Sequence, residues 1–465
     1  MANAQLNTPI LTGGILNTNF FNGRVLAAED LTALQTANAQ QRRQLGRAIG
    51  DGVACGLAVT LNAGTDPTQP VVHITAGLAL DRSGDAVALS SDIDLALVQT
   101  LDVQAASNGL FAACQPPQTM VPTNLDCYIL TASPASGLQG SAPMTDMVGS
   151  GFATSCASAN VVEGVQFNLL PLGIANTSNT TALGNQALQL YATLAPQFVQ
   201  LAGLTDATAI ANLQAQIAPN LSKFRNVVAH LCFGSDTLAG FAANPFAMSN
   251  GESSFVSYGL LDDLRTQGYL TDCTVPLALV YWTAAGVQFV DMWSVRRPVF
   301  PGPASEVWPV FSGRRRWMEG LACFLQFQDQ IASIPSIIGT SQLGTVAADD
   351  YFYYLPAVGF IPVGNVNPQA GFDYIEFFSG CTYRNPVFME GARLDSMSRS
   401  AFSYPPIDLS SQEMLWVYQV RENQEAIDND GTSAPSLYMV FTGGRVPFQG
   451  EAQYDLNYFN YANYM

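Results

Sequence analysis

Histidines, cysteines and paired carboxylates are the side chains in this sequence that could do chemistry, and their spacing argues against most of it. His73 and His230 are the two histidines, far apart and each in an apolar segment. Such residues read as buried, hydrogen-bonded core histidines. A Ser-His-Asp site would have to recruit one of them, and no Gly-x-Ser-x-Gly elbow accompanies either. The sequence has no His-x-x-x-His, Walker loop or dinucleotide fingerprint. Asp262 and Asp263 lie shortly after Glu252, and Asp349 precedes Asp350. Adjacent acids in a strand point to opposite faces, so adjacency alone makes no acid–base couple. Distant carboxylates meeting in a glycosidase-like cleft stay open at this level. Asp428-Asn429-Asp430-Gly431 has half of a calcium loop without its closing Glu and reads as a turn.

The eight cysteines are Cys55, Cys114, Cys127, Cys156, Cys232, Cys273, Cys323 and Cys381. They are widely spaced, mostly in apolar surroundings, and read as small core hydrophobes rather than a disulfide framework. Without a Cys-x-x-Cys the sequence does not point to structural zinc. Cys114, Cys127 and Cys156 fall near expected loops and are the candidates for pairing in an oxidising medium. The expectation is a protein that is not an enzyme, with no catalytic, cofactor-binding or metal-ligating residues.

The elements that would position any site follow from periodicity. Residues 1–18 read as an arm rich in Asn, Thr and Gly. Glu29 and Asp30 open a helix over 27–49, where the N-terminal dipole favours anions; Arg42, Arg43 and Arg47 close it. Leu31, Leu34, Leu45 and Ile49 share one face of that helix. Strands are expected at 53–61, 71–75, 78–80, 86–89, 125–131 and 161–170, with 81–85 as a tight hairpin loop and 133–159 as a long exposed loop. Residues 183–233 have helical spacing, with Pro196 and Pro219 limiting individual helices. Residues 274–290 are the most apolar run. Pro276, Thr283, Gln288 and a terminal Asp291 make it a buried strand pair rather than a membrane span, turning at Ala284-Ala285-Gly286. A Pro-rich connector (298–309) leads to a second basic helix, 313–331. Beyond it, 372–378, 414–420 and 437–442 read as strands and 390–400 as a short helix. The fold expected is α+β: antiparallel, sandwich-like sheets with interspersed helices, in several domains. The divisions are an arm and helix (1–50), a mainly β domain (51–182), a helical region (183–250), a β segment with connector (251–312), and a mixed C-terminal region (313–465).

Charge is sparse: 12% of residues, with a net charge of −18 over 465 residues. Between Gly164 and Ser222 the sole charged residue is Asp206. Either Asn, Gln, Ser and Thr cover the surface, or much of it faces other subunits, since interface cores are depleted of charge. The negative balance argues against nucleic-acid binding. Met1 to Gly14 lacks a basic start and an apolar run, so no signal peptide is expected. The final stretch carries Tyr454, Tyr458, Phe459, Tyr461 and Tyr464. These aromatics either fold back on their own domain or pack on a neighbour; their terminal, close-spaced setting favours the neighbour.

Several segments together resemble accessory proteins of phage-tail-like contractile injection systems. They are Phe20-Phe21-Asn22-Gly23-Arg24-Val25-Leu26 with its helix, Gly52 to Leu57, Ile74 to Gly84, and Val162 to Phe167. Val275 to Leu279, Phe289 to Asp291, Val295 to Arg297 and Tyr354 to Pro356 continue the series. Gly359 to Val363, Pro406 to Leu409 and Val420 to Asn423 complete it. The resemblance implies a bacterial structural protein near the baseplate, in contact with other copies of itself and with baseplate or tail proteins. It would be made in the cytoplasm and incorporated into a released or membrane-anchored particle. Phe20, Phe21, Arg24, Tyr454, Tyr458, Phe459, Tyr461 and Tyr464 are the interface candidates. A receptor-binding or fibre-attachment module, using 133–159 and the Tyr-rich end, is the alternative; a particle-borne glycan hydrolase is the third.

Overall fold

A computed structural model describes residues 14–25, 27–62, 64, 66–98, 114, 126–145, 153–174, 181–236, 259–299, 314–363, 371–421 and 437–446. Helix α1 (Ala28–Ile49) leads into β1 (Gly52–Gly56), β2 (Val59–Leu61), β3 (Val71–Ile74), β4 (Gly77–Leu80), β5 (Ala86–Leu89) and β6 (Ile93–Ala96). Next come β7 (Cys127–Gln139), β8 (Ala142–Thr145), β9 (Ala153–Ala157) and β10 (Asn160–Pro171). Helices α2 (Ala182–Ala202), α3 (Ala207–Phe233) and α4 (Leu260–Thr266) precede β11 (Val275–Thr283) and β12 (Gly286–Asp291). The remainder holds α5 (Arg314–Ile338), α6 (Ala348–Tyr351), β13 (Tyr354–Leu355), β14 (Val358–Val363), α7 (Tyr374–Phe377) and β15 (Tyr383–Met389). It ends with α8 (Leu394–Ala401), β16 (Ile407–Asp408), β17 (Leu415–Val420) and β18 (Leu437–Gly443). The fold is α+β, with several small, mainly antiparallel sheets; β15 and β17 form a parallel pair.

The four-stranded sheet β10-β7-β11-β12 is the organising layer. Every residue of β11 is buried, because both sheet faces are covered. Cys127, Ile129, Leu279 and Tyr281 pack with Phe198 of α2 and Phe224 of α3. Leu130, Ala132, Ala278 and Val280 face the opposite way, onto Val53, Val72, Ile74 and Val87 of the small sheets β1-β4-β5 and β2-β3-β6. A break in register between Pro276 and Ala278 shifts the parity of β11, so Val275 and Leu277 also reach this second face. The expected strand pair and its turn are therefore present, buried in protein.

Three expectations need correction. First, 133–159 is not one exposed loop. Strand β7 runs on to Gln139, β10 pairs with it along all its twelve residues, and β8 pairs with β9. Ser133, Pro134, Ala135 and Ser136 are small residues that read as loop, yet they lie buried in this ladder. Second, Pro196 and Pro219 sit inside α2 and α3 rather than ending them. An internal Pro costs a helix about 3 kcal/mol. Here Leu194, Phe198 and Leu201 in one helix, and Ile217 and Phe224 in the other, are buried on both sides of the proline. Two or three such side chains, at roughly 1.5–3 kcal/mol each, outweigh that cost. Third, Tyr374–Phe377 is a short helix rather than part of a strand. The Asp373 side chain accepts from Ile375 N–H at 2.9 Å and caps it. The connector from 300 onward and the C-terminal aromatics lie outside the described residues.

In the last third, β14-β18-β17-β15 is likewise covered on both faces. Leu415 and Val417 face Phe327, Ile331 and Ile334 of α5; Tyr418 and Val420 face Met397 and Phe402. A buried polar junction joins this part to the helical one. Arg225 of α3 donates to Asp291 at 2.7 Å and also pairs with Asp329 of α5. Gln326 adds a donor to Asp291 at 3.1 Å. Asn226 accepts from Tyr353 and Tyr354 N–H, 2.9 Å each, and donates to Tyr354 O at 3.1 Å. Burial alone would raise the Asp291 carboxyl, but the Arg225 guanidinium outweighs it and holds the group below its ordinary range.

Candidate interaction surface

Among the described residues, the arm (14–25) and α1 contribute little to the core. In α1 only Ala37 and Gly46 are buried. Leu31, Leu45 and Ile49 are exposed and Leu34 is half-buried. The amphipathic face read from the sequence is present, but it points to solvent. Leu16 and Val25, at 85% and 88% exposure, extend the apolar surface into the arm. Between arm and helix runs an open groove of about 670 Å³, lined by Leu16, Ala28, Thr32, Ala33, Thr36 and Gln40 among others.

A local clip sets the arm's path. Asn22-Gly23 turns the chain, with Gly23 at φ +90° and Arg24 N–H donating to Phe21 O at 3.2 Å. Arg24 reaches back to Asn19 O at 2.6 Å and pairs with Asp30. Its guanidinium also lies 6.0 Å from the centroid of the Phe21 ring. Asp30 accepts from Ala27 N–H at 3.1 Å, so one carboxylate closes the clip and satisfies a helix N-terminal donor. Phe20 and Phe21 remain exposed beside it. The structure thus brings Phe20, Phe21 and Arg24 together. Tyr454, Tyr458, Phe459, Tyr461 and Tyr464 lie outside the described residues.

At its other end α1 is fastened to the β4–β5 loop. Arg43 Nε donates to Asp85 at 2.7 Å, and Arg47 donates to Ser83 O at 2.9 Å. The hydrogen bond and charge of Asp85 hold the Arg43 guanidinium above its ordinary value. Gly46 packs directly on the Gly84 backbone, which itself has φ +87°. These anchor residues, and the outward-facing Leu45 and Ile49, were not singled out as functional from sequence. The run of three arginines near the helix end was the available signal.

The chemically suggestive residues are dispersed. His230 is buried as expected, with Nδ1 2.7 Å from Ser235 Oγ and its ring stacked on Tyr354 at 4.8 Å. Burial lowers it to about 3, so it is neutral in the fold. His73 corrects the expectation of a core histidine. It is half-exposed on β3, with Nδ1 2.8 Å from Asp94, because β6 sets that residue opposite it. Asp262 is committed to Arg265 and Arg315, and Asp263 stands exposed on the other side of α4. Glu252 and the 428–431 turn lie outside the described residues.

No protein-family model matches the chain, and no curated protein is significantly similar to it. Among the described residues no helix is long and apolar enough to cross a membrane.

A second apolar projection lies at the far end of the β7–β10 ladder. Leu138 pairs with Val161 there, and Val162 follows; all three are exposed. The low-charge segment forms α2 and the first half of α3. Its one charge, Asp206, caps α3 by accepting from Ala209 N–H at 2.8 Å. The rest of that helical surface offers no ionic contacts to water or a partner.

One cysteine expectation is also corrected. Cys114 pairs with Cys273, 159 residues away, and not with Cys127 or Cys156. Cys127 faces the helix-side core of β7, and Cys156 is exposed on β9.

Proposed function

We propose that this chain is a structural subunit of a phage-tail-like contractile injection particle. It assembles in multiple copies at or around the baseplate as a cage, crown or peripheral ring. Its partners are other copies of itself and baseplate or tail proteins; it binds no nucleic acid and is not an enzyme. The observation that carries the assembly reading is the 22-residue helix α1, whose apolar face stays exposed among the described residues. A helix held at one end, with Leu31, Leu45 and Ile49 in water, gains by docking. Each fully covered side chain contributes roughly 1.5–3 kcal/mol before the cost of association. The resemblance of the Phe20–Leu26 cassette and the segments that follow supports the particle assignment. Production in the bacterial cytoplasm and incorporation into a released or anchored particle follow from it.

The projecting Leu138, Val161 and Val162 favour a second reading, a receptor-binding or fibre-attachment module. Electron cryo-microscopy of particles from cells with and without the gene separates the two. Loss of a symmetric ring at the baseplate supports the structural subunit. Intact baseplates lacking outward projections support the module, and particles unchanged in both places overturn both readings.

A further inference from the structure

The loop that anchors α1 rests on a buried cluster of two sulfurs and a carboxylate. Cys114 and Cys273 are buried, with their Cα atoms 5.3 Å apart. Asp81, at the start of the loop, is 1% exposed. One carboxylate oxygen of Asp81 and both Sγ atoms lie within 4.8 Å of one another. Asp81 Oδ1 accepts from Asp85 N–H at 2.8 Å, whereas Oδ2 has no hydrogen-bond partner. The hydroxyl of Ser83 lies 3.8 Å from Cys273 Sγ. Arg82 and Ser83 N–H both donate to Asp272 O, which fixes the loop over Cys273.

A disulfide has no proton to offer a carboxylate. With no donor supplied there, Asp81 Oδ2 stays buried without a partner and keeps its desolvation cost. Two thiolates and a carboxylate, in contrast, are a donor set for a tetrahedral zinc-type cation with one position left for water. Opening the disulfide to two metal–sulfur bonds of about 2.3 Å needs the sulfurs roughly 3.8 Å apart, within the reach of side-chain rotation.

We propose that Asp81, Cys114 and Cys273 form a redox-gated site for a zinc-type divalent cation. The reduced pair binds the metal with Asp81 as third ligand, and the disulfide is the metal-free alternative. Loading begins with two-electron reduction of the Cys114–Cys273 bond by a dithiol, which becomes a disulfide and yields two thiols. Both thiol protons leave as the cation binds. Release is the reverse exchange: one thiolate attacks an external disulfide and expels a thiolate, and each thiolate so expelled takes a proton from water. The second cysteine then attacks the mixed disulfide, the external reagent leaves as two thiols in all, and the cation goes free. Because the same loop carries Gly84 and Asp85, the occupant of the site sets the footing of α1.

The test is cobalt titration of the full chain, reduced with a phosphine or left oxidised. The expected result is one Co²⁺ per reduced chain with a thiolate-to-cobalt charge-transfer band, displaced by Zn²⁺ and absent from the oxidised protein. Cys114→Ser and Cys273→Ser should each abolish the band. Asp81→Asn keeps an oxygen acceptor for Asp85 N–H; it should weaken binding by at least roughly tenfold, the scale of losing even an outer-shell partner. It should still form the disulfide, read by thiol counting. A reduced protein without the band, or a band that survives Cys273→Ser and so belongs to the exposed Cys55 or Cys156, overturns the proposal. Undiminished affinity in Asp81→Asn overturns it as well. The contrast between reduced and oxidised wild type needs no variant and decides the matter if a substitution prevents folding.

Discussion

Gly46 of α1 and Gly84 of the β4–β5 loop touch backbone to backbone: a Cβ on Gly46 would fall well inside contact distance of the Gly84 carbonyl. The apposition lets α1 come close enough for Arg43 to reach Asp85 and Arg47 to reach Ser83. In Gly46→Val the methyls cannot be accommodated without moving backbone, at a cost of about 1–3 kcal/mol. Among the described residues it is this loop that fastens α1 to the body, so the helix should yield rather than the body. Hydrogen exchange across 28–49 should rise at least tenfold while β7 and β11 stay protected; unchanged exchange in α1 would show that the apposition is not its anchor.

The outward face of α1 should matter to assembly and not to folding. Leu45 and Ile49 are 66% and 55% exposed. Changing both to Asp should alter unfolding free energy by no more than about 0.5 kcal/mol per site, as for ordinary surface positions. The same variant should lose self-association in light scattering and incorporation into particles. Normal assembly by this variant would remove α1 as the docking element.

Arg225 and Asp291 should behave as a coupled pair. Asp291 is fully buried, so Arg225→Met strands a charge, and a loss of about 3–5 kcal/mol is expected. In Arg225→Met with Asp291→Asn the stranded charge is gone, and urea unfolding should recover more than half of that loss. Asp329 and Gln326 share the site, so recovery should be incomplete. Strict additivity of the two single changes would refute the coupling.

His230 gives the stability a specific pH dependence. Its folded value of about 3 lies below the ordinary value near 6.5, so the unfolded chain binds the proton more readily. Its contribution to stability is therefore complete above about 6.5 and is lost as pH falls from there toward 3. Unfolding free energy measured between pH 7 and 4 should fall less steeply in His230→Gln than in wild type, whatever the offset between them. Parallel curves would assign the acid sensitivity elsewhere, for example to Asp291.

Local pattern determined much of this protein. The acidic start and basic end of 28–49 made a helix, and the apolar run broken at Ala284-Ala285 made β11 and β12. The Asp81–Asp85 hairpin loop and the Phe20–Arg24 clip were legible for the same reason: each is decided within a few residues by turn chemistry, dipole and period. Tertiary structure decided what local pattern cannot encode. Small, weakly apolar residues at 133–136 became buried strand because β10 pairs with them residue for residue. Pro196 and Pro219 stayed within helices because packing on the sheet outweighed a missing hydrogen bond. Sequence periodicity showed that α1 has an apolar face, but only the packed chain showed that, among the described residues, Leu31, Leu45 and Ile49 on it stay exposed. Asp81, Cys114 and Cys273 have no spacing that joins them, since 159 residues separate the two sulfurs. They meet because two distant segments close on one hairpin loop, and contacts of that range exist only once the core has formed.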